Sequence, residues 1–123
     1  MEERRFINCS NHPSANWCRE QRESAEIYGK IEDFPFPDVD PGWDSTQIRV
    51  CAEKICREIL ENKPNAVMCQ GEFTLTYAIV EQLKRKNVKV LAASSQRIAE
   101  EFINEDGSIE KRTIFRFVKF REY

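Results

Sequence analysis

AVMCQGEFTLT, residues 66–76, is the stretch on which the reading of this chain turns. A short apolar run meets a Gly-Glu pair and then opens a helical pattern, which predicts the central strand of a parallel sheet running into the next helix. Backbone N–H groups are free at a helix start, and a glycine lets another group come close. Gln70, Gly71, Glu72 and Thr74 are therefore expected to meet a polar or anionic ligand.

Downstream, the helix is expected over about 73–86, with Ile79, Val80 and Leu83 buried. VKVLA, residues 88–92, reads as a fourth strand that spills into Ser94, Ser95, Gln96 and Arg97. Residues 98–111 are charged and weakly patterned, with a turn at Asp106-Gly107-Ser108. The tail TIFRFVKFREY alternates aromatic and basic residues like an antiparallel edge strand, where Arg and Lys discourage further pairing.

Upstream, Ile48, Cys51, Ala52, Ile55, Cys56, Ile59 and Leu60 recur at helical spacing after a cap at Ser45 or Thr46, and Asn62 with Pro64 ends the run. Before it, FPFPDVDPGWD holds Pro35, Pro37 and Pro41, three prolines in seven residues, which forbids helix and central strand. Phe36, Val39 and Trp43 in that loop are expected to pack under it or against a second subunit. Residues 30–34 make a second strand. RFINC, residues 5–9, makes the first, followed by the polar loop Ser10, Asn11, His12, Pro13, Ser14 and a helix from Pro13 or Ser14 to about Tyr28, closed by Gly29.

Strands alternating with helices predict an α/β fold: one Rossmann-like domain over residues 1–123, with helices on both faces of a mostly parallel sheet. Right-handed crossovers give the strand order 2-1-3-4, with the C-terminal strand antiparallel at an edge. Ligands of such sheets sit beyond the carboxyl ends of the strands, where the winding reverses, here between the first and third strands.

The balance of 19 basic and 21 acidic side chains gives a net charge of −2, with no pull toward a nucleic-acid polymer or a membrane. No apolar run reaches the roughly 20 residues of a membrane span, and MEERRF lacks the apolar core of a signal peptide. Five scattered cysteines, Cys9, Cys18, Cys51, Cys56 and Cys69, suit a reducing cytoplasm and free thiols. A cytoplasmic protein without metal or cofactor is expected.

Three loops are expected to converge on the carboxyl edge. Asn8, Ser10, Asn11, His12 and Ser14 follow the first strand; Gln70, Gly71, Glu72 and Thr74 follow the third; Ser94, Ser95 and Arg97 follow the fourth. His12 is the only histidine, the side-chain type suited to general acid or base work near neutral pH, or else a loop histidine bonded to nearby backbone. Glu72 offers a base, a glycosyl-transfer nucleophile or a ribose acceptor, or is an ordinary acid at a helix start. Arg97 with the two serines offers an anion cradle, or a capped short helix with the arginine in solvent. No GxGxxG, phosphate-loop or GxSxG motif is present.

The first-strand exit Asn8-Cys9-Ser10-Asn11-His12-Pro13, the proline-bearing loop, the Gln-Gly-Glu-Phe-Thr turn and the closing Phe-Arg-Glu-Tyr resemble the small Rossmann-like ancillary proteins of type III CRISPR systems. Several of those leave strand one through a similar Ser-His-Pro motif. That group contains ring nucleases, and the resemblance implies a homodimeric cleft binding a cyclic oligoadenylate second messenger and linearising it without metal. His12 would then move the proton, Arg97 would stabilise the phosphorane, and Glu72 with Gln70 would position the nucleotide. The alternatives are a non-catalytic nucleotide sensor or sink, and a nucleoside glycosyl-transfer enzyme using Glu72.

Overall fold

In a computed structural model, which describes residues 3–123, the apolar run of the opening stretch is β3, Ala66–Cys69, buried at all four positions. Strands covered on both faces need continuous apolar sequence, which is why this one does not alternate. It lies between β1, Arg5–Cys9, and β4, Val90–Ile103; β2, Lys30–Asp33, flanks β1, and β5, Ile109–Glu122, flanks β4. The order is β2-β1-β3-β4-β5, parallel throughout except for the antiparallel β4–β5 pair. The Rossmann-like α/β fold expected from the alternation is present. Met1 and Glu2, the start of MEERRF, lie outside the described residues.

Successive strand residues face opposite sides, so the sheet carries two cores. Ile7, Cys9, Val67, Cys69 and Val90 pack with α2, Ser45–Glu61, and α3, Phe73–Arg85. Phe6, Ala66, Met68 and Leu91 pack on the other side with Ala25 of α1, Arg19–Glu26, and with Trp17, Tyr28 and Phe120. Among the described residues no helix is long and apolar enough to cross a membrane. All five thiols are free; Cys9, Cys56 and Cys69 are buried.

Three boundaries differ from expectation. The cap of α2 is Asp44 rather than Ser45 or Thr46: its carboxylate accepts from Gln47 N while the Gln47 side chain accepts from Asp44 N, both at 2.9 Å. The first helix starts at Arg19 and not at Pro13 or Ser14. A short 3₁₀ turn, Ser14–Asn16, intervenes because Ser14 N donates to Asp33 and the Trp17 indole to His12 O, which holds the chain off the helical path.

The largest difference is β4. It does not stop near Ala92 but continues to Ile103, so Ser94, Ser95 and Arg97 belong to a strand and not to a helix-starting loop. β5 pairs with it residue by residue, from Leu91↔Glu122 to Ile103↔Ile109, with a bulge at Ser94/Ser95. Cross-strand pairing overrides the loop preference of Ser-Ser-Gln. The expected turn closes the hairpin, with Ser108 N donating to Asp106 Oδ1 and Gly107 at φ +88°. Because β3 pairs only with Val90 and Leu91, the rest of β4–β5 leaves the body as a two-stranded ribbon.

Candidate functional site

The parallel register places Asn8 beside Asp33 and Cys9 beside Cys69, so the first loop, the end of β2 and the Gly71 loop share one edge of the sheet. Asn8 and Ser10 are both buried. Asn8 Nδ2 donates to His12 O at 2.9 Å and to Asp33 Oδ1 at 3.0 Å, and its Oδ1 accepts from Ser10 Oγ at 2.6 Å. Ser10 Oγ in turn accepts from His12 N, and the Trp17 indole adds a second hydrogen bond to the His12 carbonyl. Arg22 closes the frame by donating to Ser14 O at 2.7 Å.

The backbone N–H and C=O of His12 are thus both held, while its imidazole is exposed and enters none of these bonds. Asn11 stands beside it in solvent and Ser14 is half-buried. Asp33, Trp17 and Arg22, which build the loop, were not among the expected site residues. Asp33 was within reach of sequence reasoning, since two adjacent parallel strands of similar length end together.

The second loop is built differently from expectation. Gln70 N donates to Cys9 O, and Gln70 Oε1 accepts from Ala93 N at 2.7 Å, so Gln70 extends the sheet one step past β3. A Cβ on Gly71 would lie 2.5 Å from the Phe36 ring. The close approach that this glycine permits is that of Phe36, which is buried and is hydrogen-bonded through its N–H to Ser10 O. The apolar residues of the proline loop pack under it within the same chain.

Glu72 caps α3. Its carboxylate accepts from Thr74 N, Leu75 N and the Thr74 hydroxyl, and these bonds hold it below the usual carboxylate range. Asp44 occupies the start of α2, and the Glu20 carboxyl at the start of α1 is lowered by its own backbone N–H and the Cys18 thiol. The helix starts expected to receive phosphate are therefore filled by this chain's own carboxylates, and Thr74 is spent on the same cap. Since the folded pKa of Glu72 lies below its ordinary value of 4.5, its contribution is complete above that pH and is lost as pH falls through the folded pKa. Glu72→Gln is accordingly expected to lower the urea midpoint at pH 7 and to leave it unchanged well below pH 4; an equal gap at both pH values would show that the carboxylate is not what caps the helix.

Ser94, Ser95 and Arg97 lie on the ribbon as it rises from the same carboxyl edge. Arg97 pairs with Phe115, is exposed, and is four residues past Ala93, or roughly 13 Å along the strand. The structure thus joins the His12 and Gly71 loops and sets Arg97 apart, above the same edge. Beneath, the thiolate form is disfavoured at two of the buried thiols: burial pushes Cys56 up to about 12, and a hydrogen bond with Cys9 together with burial raises Cys69.

A wide concavity lies elsewhere, a groove of about 810 Å³ between α2 and α3 lined by Trp43, Ile48, Phe73 and Tyr77 with Arg49 and Glu53. Its signal in the sequence was the aromatic pair Phe73 and Tyr77, one turn apart and opposite the buried stripe. Residues 4–121 match the family described as Uncharacterized protein MJ1673 family, and the chain belongs to it. No curated protein and no solved structure matches the chain.

Proposed function

For this member of the MJ1673 family we propose that a small adenylate-type nucleotide, such as a cyclic oligoadenylate, binds at the carboxyl edge of the sheet in a cleft completed by a second copy. The observation that carries the reading is His12: an exposed imidazole with no bond of its own among the described residues, on a loop whose backbone is pinned by Asn8, Ser10 and Trp17. A side chain presented this way has been oriented in advance for something outside the chain. The position supports the same reading, because the winding of the sheet reverses between β1 and β3.

Arg97 offers a forked contact to a phosphate, and Asn11, Ser94 and Ser95 offer hydroxyl and amide partners for ribose or base. Glu72 takes no chemical role in this reading, since its oxygens are committed to α3. The resemblance to ring nucleases suggests the reaction. A ribose 2′-oxygen forms a bond to the adjacent phosphorus, the bond to the 5′-oxygen breaks, and a cyclic phosphate and a free 5′-hydroxyl result. His12 would take the 2′-hydroxyl proton or return one to the leaving oxygen.

Calorimetry and product analysis with cyclic and linear oligoadenylates in EDTA test this. His12→Ala is expected to lower turnover at least ~100-fold with affinity held within about threefold. A parent protein that binds without cutting is a sensor or sink; a folded parent that neither binds nor cuts ends the proposal.

A further inference from the structure

Between β3 and β4 the ladder stops just short of the mouth. Val67 N donates to Lys89 O, and the pairing ends at Met68↔Leu91. In that parallel register a continued ladder would join Ala93 N to Cys69 O. The bond is replaced. Ala93 N donates instead to Gln70 Oε1 at 2.7 Å, and Cys69 O accepts from the Tyr123 hydroxyl at 2.6 Å. Two side chains thus stand where one backbone bond belongs, and they satisfy both of its halves.

Each of the two is itself anchored. The Tyr123 N–H donates to Val90 O, and the Tyr123 carbonyl accepts from Lys84 Nζ at 2.8 Å. Burial raises the pKa of its phenol, which keeps the hydroxyl a donor. Gln70 N donates to Cys9 O, on the far side of β3. The seam is therefore opened by groups tied to β4, α3 and β1. The ribbon leaves the body just past Ala93, where the bulge at Ser94/Ser95 follows. Arg97 stands four residues beyond Ala93, on a lever of roughly 13 Å, so a change of angle at the seam becomes a displacement of the guanidinium. His12 is tied to Asn8 of β1 and does not depend on this seam.

We infer that Gln70 and Tyr123 are positioning residues: by taking the place of the Ala93–Cys69 bond they set the angle at which the ribbon leaves the sheet, and with it the distance from Arg97 to the His12 mouth. The use of Arg97 on a phosphate rests on the nucleotide reading; the control of the ribbon by the seam does not. When both side chains are removed, Ala93 N and Cys69 O lose their partners and bond to each other, which draws the ribbon toward β3.

Nuclear magnetic resonance of the full chain, without nucleotide, tests the seam. Tyr123→Phe with Gln70→Met removes the hydroxyl and the amide at nearly constant volume. In the parent no scalar coupling is expected across a hydrogen bond from Ala93 N to the Cys69 carbonyl carbon. In the double variant that coupling is expected to appear, and the residual dipolar couplings of residues 96–103 and 109–116 are expected to report one common rotation of ribbon against body. Tyr123→Phe alone is expected to turn the ribbon in the same sense by less, which keeps the test decisive should the double variant unfold. A coupling already present in the parent, or a ribbon whose orientation neither variant changes, would overturn the inference. Calorimetry with cyclic oligoadenylates in EDTA then reads Arg97: Arg97→Ala is expected to weaken binding about tenfold in the parent and less than ~twofold in the double variant. Equal costs in the two backgrounds would detach Arg97 from the seam and overturn its positioning role. If no oligoadenylate binds, the nucleotide reading fails, and the magnetic resonance result still decides the seam.

Discussion

Gly71→Ala is expected to cost about 2 kcal/mol of folding stability in the parent chain and less than ~0.5 kcal/mol when Phe36 is already alanine. The added methyl would meet Phe36 Cε1 at 2.5 Å, closer than any real contact, so the ring must move. Phe36 is 4% exposed and packs with Ile7, Cys9 and Cys69, so moving it surrenders much of the burial energy of a large side chain. Backbone strain does not confuse the test, because Gly71 is not among the positive-φ residues. Urea midpoints of the four proteins give the coupling directly. Equal costs in the two backgrounds would mean that Phe36 is not what the glycine accommodates.

Asn8→Ala should act on stability and on the site together. Asn8 is 1% exposed, and its removal strips Ser10 Oγ of an acceptor, His12 O of a donor, and Asp33 of one of its partners. Leaving buried polar groups short of partners costs about 1–3 kcal/mol, and the expected loss here is about 3 kcal/mol because several are affected. The His12 loop should loosen with it. Faster amide hydrogen exchange at His12, and at least ~10-fold lower turnover of whichever oligoadenylate the parent cuts, are the expected readouts. Unchanged exchange at His12 would remove Asn8 from its role as the loop's anchor.

These two experiments probe a mouth that differs from the one a list of loops suggested. Gly71 admits a side chain from the proline loop, Glu72 and Thr74 close a helix, and Gln70 continues a sheet. Among the described residues, His12, Asn11 and the arginine on the ribbon keep side chains exposed at this edge.

The order and kind of the elements were legible in the residues themselves. Apolar runs of four or five, helical spacing in 48–60, prolines at 35, 37 and 41 and the Asp-Gly-Ser turn each act within a few neighbours, so local sequence carries them. The strand order followed as well, because handedness and short connections leave few ways to wind four such units. What tertiary structure alone decided was the partner of each polar group. Asp33 reaches Asn8 from 25 residues away, Phe36 fills the space above Gly71, and β5 draws Ser94 to Ile103 into a strand that their own preferences do not favour. A propensity describes one residue among its neighbours in the chain, whereas these bonds form between segments that only folding brings together.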